Sequence, residues 1–161
     1  MSDTQPTLER LPPAALTLFR LAGLIRIGVY GLLTLVAGFI LSRTDVGAWA
    51  WLLPLVAVLL CAFMLIWYPP RAHQRWGWAL REHDLLIAHG VLVQQLVSIP
   101  AGRIQHVDVH QGPIERALGL ARLQVYTASG GGADGEIPGL ARETADALRE
   151  KLVRREAEDV V

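Results

Sequence analysis

The chain has 161 residues, 52% of them apolar, and a formal net charge of zero at pH 7. That balance lacks the basic stripe of a nucleic-acid binder, and the single cysteine, Cys61, excludes an intrachain disulfide and a cysteine-rich metal site. The polarity is divided: between Arg26 and Arg71 the only charges are Arg43 and Asp45, whereas the stretch from Arg71 onward carries 11 Lys+Arg and 12 Asp+Glu, a water-soluble composition.

The first uncharged apolar run begins only after Arg26 and is too long for the core of a cleavable signal peptide. Leu21 to Leu41 is apolar apart from Arg26, and Val46 to Tyr68 has no charge. At 1.5 Å per residue the second run reaches roughly 35 Å as a helix, enough for a hydrocarbon core of about 30 Å. The first run spans if Arg26 snorkels to the interface. A pair of buried core helices is the alternative, but nothing else in the chain is large enough to cover both. Trp49 and Trp51 open the second run and Trp67 and Tyr68 close it, as interfacial aromatics do. Pro69-Pro70 is expected to end that helix and Pro54 to kink it. Gly28, Gly31 and Gly38 share a face of the first helix, suited to packing on the second helix or to a dimer seam.

Arg10, Arg20 and Arg26 precede the first span, Arg71, Arg75 and Arg81 follow the second, and the connecting loop holds Arg43 alone. Positive flanks face the cytoplasm. The expectation is a multi-pass plasma-membrane protein with both termini cytoplasmic and Ser42 to Gly47 outside.

From Trp76 the pattern changes to period two. Trp76, Trp78 and Leu80 predict a strand, Leu85 to Ala88 a second, His89-Gly90 a turn and Val91 to Ile99 a third. Gln105, Val107 and Val109 alternate with His106, Asp108 and His110 on a fourth. Gly112-Pro113 starts a short helix, Ile114 to Leu118, that Gly119 ends. Leu123, Val125 and Thr127 mark a further strand, and Glu136-Ile137 a short last one. Leu140, Thr144, Leu148 and Leu152 then give a C-terminal amphipathic helix. Short strands followed by one such helix suggest a mainly-β or α+β unit: a small bent sheet or barrel closed by the helix.

The runs Ile99-Pro-Ala-Gly-Arg-Ile-Gln-His-Val-Asp-Val-His-Gln-Gly112, Arg116-Ala-Leu-Gly-Leu-Ala-Arg-Leu-Gln-Val-Tyr-Thr-Ala-Ser-Gly130 and Ile137-Pro-Gly-Leu140 resemble the bacterial PH-domain membrane proteins of the YdbS-like type. The likeness extends from about Arg20 to Leu152. It implies a transmembrane hairpin followed by a pleckstrin-homology-like domain, without a known catalytic activity. Residues 1–20 are then an N-terminal cytoplasmic segment, 21–68 the two-helix hairpin, 71–155 the PH-like domain and 156–161 a tail.

Three constellations invite chemistry. Gly130, Gly132 and Gly135 match G-x-G-x-x-G, but Glu136-Ile137-Pro138 does not start the helix a dinucleotide site needs; a flexible hairpin loop is the expectation. His106, Asp108 and His110 share a strand face, yet residues four apart on a strand are roughly 13 Å apart, too far for one zinc, so solvated positions are expected. Ser98, His106 and Asp108 have the residue types of a hydrolase triad without a nucleophile elbow. The sequence therefore reads as a non-enzymatic interaction or scaffold module without catalytic, cofactor-binding or metal residues. The alternative is a lipid-sensing or lipid-handling domain. Arg71, Arg75 and Arg81 are the candidate contacts to anionic headgroups, and the partners are the bilayer and another membrane protein or a second copy of the chain.

Overall fold

The computed structural model describes residues 7–43, 51–128 and 132–159. Trp49, Thr44 to Gly47, and Ser129 to Gly131 with two of the loop glycines lie outside them. The chain divides into two units: Met1–Leu18 with Ala72–Val161, and Phe19–Arg71.

The second unit is helical. Helix α1, Pro13–Leu41, has 29 residues and α2, Leu52–Arg75, has 24, and both are long and apolar enough to cross a membrane. Their exposure decides between span and core. In the most apolar stretch of each, only 6% of α1 and 11% of α2 is buried, with Leu32, Ile40, Leu59 and Ile66 exposed. In water such a surface would be untenable. Within this unit the helices touch where a Cβ on Gly23 would come 2.7 Å from Leu65 Cδ1. Gly28 and Gly31, expected to pack on α2 or on a second copy, would meet nothing within 4 Å on gaining a Cβ, so their small size is not needed inside the hairpin.

Two expectations about proline are corrected. Pro54 lies in the first turn of α2, where a missing amide has no intrahelical partner to lose, so it breaks no bond of the helix. Pro69-Pro70 does not end α2, which continues to Arg75. The last turn is held by tertiary contacts within the first unit. Ala72 is buried and His73 Nε2 donates to the Pro12 carbonyl at 3.1 Å.

The first unit is the PH-like domain. Strands β1 (Glu9–Arg10), β2 (Gly77–Leu80), β3 (Asp84–His89) and β4 (Gln95–Pro100) form one antiparallel sheet in that order. A 3-10 turn, Ala101–Arg103, leads to a second antiparallel sheet of β5 (Ile104–His110), β6 (Leu120–Thr127) and β7 (Gly135–Ala141), with α3 (Pro113–Ala117) between β5 and β6. These are two separate sheets among the described residues, so of the expected alternatives the closed barrel does not form. Helix α4, Arg142–Asp159, packs on β5, β6, β7 and the 3-10 turn. Its Ala145, Leu148 and Leu152 are buried, as are Ile104, Val107, Leu123, Val125 and Ile137 of the second sheet.

The third strand starts later than expected, because Gly90 to Gln94 form the turn and Gly90 has φ +105°. The last strand is longer, seven residues rather than two. Its Pro138-Gly139 reads as a breaker, yet the pairing steps from Leu123↔Ile137 to Ala121↔Leu140, a bulge that accommodates both. Gly139 has φ +70°, and a Cβ there would come 2.9 Å from Ala15 Cβ. The bulge thus receives the start of α1: Leu11, Ala15 and Leu18 are buried in this domain.

Gly135 is not part of a loose loop. It opens β7, is buried, and a Cβ would meet Ile99 Cδ1 at 2.5 Å and Ile87 Cδ1 at 2.9 Å. The sheets pack closely at this point because no side chain intervenes. α3 is fixed by Glu115, buried, whose Oε2 accepts the Gly112 amide at 2.6 Å and whose Oε1 lies 3.2 Å from Arg122 Nη2.

Candidate functional site

The registers Arg10↔Gly77 and Gly77↔Ala88 bring three points of the chain to one end of the first sheet. There β1 leads into Pro13, α2 arrives through Arg75, and β3 enters its turn at Gly90. A cleft of about 250 Å³ opens at this end, lined by Leu8, Arg10, Gln74, Arg75, Trp76 and Gly77. Trp76 stacks on His89 with ring centroids 5.0 Å apart and planes 23° from parallel. Arg10 and Arg75 are both exposed, and among the described residues neither forms an ion pair. Two guanidinium groups without an ion pair among the described residues, beside an indole, suit an anionic group.

The three arginines singled out in the sequence do not act alike. Arg75 is in the cleft. Arg71 belongs to the helical unit, where its Nη1 donates to the Trp67 carbonyl at 3.0 Å and its guanidinium lies 4.4 Å from the centre of the Trp67 ring. Arg81 is occupied internally: its Nε donates to Asp84 Oδ1 at 2.7 Å, and its Nη2 and the Ser98 hydroxyl both donate to Oδ2. The hydrogen bond from Arg81 holds the Asp84 carboxyl below its ordinary range, against partial desolvation, with Ser98 adding to the effect. Arg10, which the sequence marks only as a topology residue, joins Arg75 through a two-residue strand too short to leave a periodic signal.

Of the other constellations, His106, Asp108 and His110 stay together, whereas Ser98 does not join them. Ser98 bonds Asp84, not His106. His106 Nε2 lies 2.8 Å from Asp108 Oδ1 and His110 Nε2 lies 3.8 Å from Oδ2, all partly or largely exposed, with His106 also against the Tyr126 ring at 5.6 Å. Among the described residues no group of three or more His, Cys, Asp or Glu side chains is placed to hold a metal ion. Of the glycine motif, Gly135 has the packing role given above.

Residues 18–156 match the model of the bacterial PH domain family. The chain belongs to that family. It is also 36% identical, over 86 residues, to the UPF0699 transmembrane protein YdbS of Bacillus subtilis (strain 168), a match covering 53% of this chain and 52% of that protein. The chain spans about half the length of this curated relative. No solved structure matches it. With two exposed apolar helices and the domain just described, the chain is a membrane protein carrying a bacterial PH domain. The family match begins at residue 18, and the structure places the preceding β1, Leu11 and Ala15 in the same unit as the domain.

Proposed function

We propose that this bacterial PH domain is a non-enzymatic interaction module held at the cytoplasmic face of the plasma membrane, and that it grips anionic headgroups through Arg10 and Arg75. The carrying observation is the cleft's place at the sheet end where the chain passes into Pro13 and out of Arg75. Both spans cross, both termini are cytoplasmic, and Arg71 adds a further headgroup contact from the end of its helix. Arg81, tied to Asp84, contributes less than its position in the sequence suggests. Each basic residue near an anionic surface is worth around 1 kcal/mol, about fivefold in occupancy.

The test uses the full chain reconstituted in vesicles with and without an anionic phospholipid. Amide exchange in residues 8–11 and 74–77 should slow as the anionic fraction rises. Arg10→Gln with Arg75→Gln should remove that dependence, and Arg81→Gln should leave most of it. Equal exchange in anionic and zwitterionic vesicles would reject the headgroup reading.

A protein partner is favoured by one separate observation. Among the described residues β4 is the last strand of its sheet, and its outer edge could take a strand from another membrane protein or a second copy. Crosslinking in native membranes through Gln95→Cys, in a Cys61→Ala background, tests this, and failure to capture any chain would count against it.

A further inference from the structure

The turn between β3 and β4 breaks the usual rule for turns, which are built from Gly, Pro, Asn, Asp and Ser. Leu92 is 86% exposed, Val93 71% and Leu96, on the adjoining strand, 65%. These exceed the exposure of most side chains on the two membrane helices. From Leu85 to Gly102 there is no Asp, Glu, Lys or Arg, so the tip has no charged collar to keep it in water. Its shape is imposed: Gly90 sits at φ +105°, and a Cβ there would fall 1.9 Å from the Val93 carbonyl oxygen. The backbone is therefore folded tightly under the projecting Leu92 and Val93.

Placement identifies what covers the tip. β3 ends at His89, whose ring stacks on Trp76, the residue after the last of α2. Arg10, three residues before α1, pairs in register with Gly77, and Gly77 with Ala88. The apolar turn thus projects from the same sheet end at which both apolar helices join the domain, while the opposite end carries Arg81, Glu82 and His83. Tethered on both sides, that end keeps the bilayer at a high effective concentration.

We infer that the β3–β4 turn is a membrane wedge: Leu92, Val93 and Leu96 enter the headgroup–acyl boundary of the bilayer that the helices cross. Burial there is shallow, about 5–10 Å. The wedge rests on the membrane-surface reading above, but uses apolar residues where that reading uses arginines.

The experiment uses the full chain in vesicles, with Cys61→Ala and a polarity-sensitive nitrobenzoxadiazole label on Leu92→Cys or, as control, on the exposed Arg149→Cys. The label at position 92 should emit to the blue of the control and be quenched by nitroxides on shallow acyl carbons, with the control unquenched. Equal emission and no quenching at both positions would overturn the inference. A blue shift without quenching from lipid, growing with the number of chains per vesicle, would overturn it in favour of a second copy on the tip. Zwitterionic vesicles and the Arg10→Gln, Arg75→Gln background separate the two readings. Quenching at 92 that persists there, with no anionic-lipid dependence in the exchange test, supports the wedge and rejects the arginine cleft. Anionic-lipid dependence without quenching at 92 does the reverse.

Discussion

Truncating Leu148 to Ala tests whether α4 is part of the domain or a passenger on it. Ala145, Leu148 and Leu152 form the buried stripe of α4, with Leu148 2% exposed, over β5, β6 and the 3-10 turn. Tight packing on a sheet leaves the site little room to collapse, so Leu148→Ala should cost about 2–5 kcal/mol. The lower figure raises the opening equilibrium about 30-fold, and the range is a large part of the 5–15 kcal/mol typical of a domain. Amide exchange of the full chain in lipid nanodiscs should therefore accelerate through β5, β6 and β7. The span residues from Gly28 to Leu41 should stay protected, since their stability rests on lipid. Arg149→Ala, on the exposed side of α4, should change β-sheet exchange by no more than about 0.5 kcal/mol. The full chain is required: a fragment starting at Arg71 would lack the buried Leu11, Ala15 and Leu18. If Leu148→Ala exchanged like Arg149→Ala, α4 would not be a structural cover of the second sheet.

Three other outcomes follow from named contacts. Gly135→Ala should destabilise the domain by about 1–3 kcal/mol through overpacking on Ile99 and Ile87; Gly132→Ala, which would meet nothing within 4 Å, should be near neutral by the same exchange measurement. Ala15→Leu should drive the start of α1 off the Gly139 bulge, and protease cleavage after Arg10 should then outpace that of the unaltered chain. The Asp84 carboxyl titrates below its ordinary range, chiefly through the Arg81 hydrogen bond; this stabilises the fold above the ordinary carboxylate range and ceases to do so as pH falls through the folded value. Asp84→Asn should therefore be less stable than the parent near neutrality and lose less below about pH 4, as read by thermal melts across pH.

The sequence carried the fold where one period governed a segment. The uncharged runs, the alternation of Leu123 and Val125 in β6, and the spacing of Leu148 and Leu152 in α4 each follow one period, whereas Leu140, expected to open that helix, lies in β7, and β3 buries Leu85, Leu86 and Ile87 in succession. It was less legible where two demands met. Pro69-Pro70 announces a helix end, but Ala72 and His73 find partners in the domain, and the helix continues to Arg75. Pro138-Gly139 announces a break, but the bulge exists to admit Ala15. Gly135 has the look of loop glycine because a residue required for its missing side chain leaves no chemical trace in one sequence. The cleft was half visible: Arg75 stood out through its distance from the span, whereas Arg10 depends on a pairing across more than sixty residues. The exposed Leu92 and Val93 were concealed by their own hydrophobicity, which reads as a continued strand.

The account depends most on which side of the membrane holds the domain. Single cysteines at Thr44 and Arg149, each in a Cys61→Ala background, answer this in intact cells with a membrane-impermeant thiol reagent. Thr44→Cys should be labelled without lysis and Arg149→Cys only after it, as the arginine flanks require. Labelling of Arg149→Cys in intact cells with Thr44→Cys protected would place the domain outside and contradict the cytoplasmic-leaflet function.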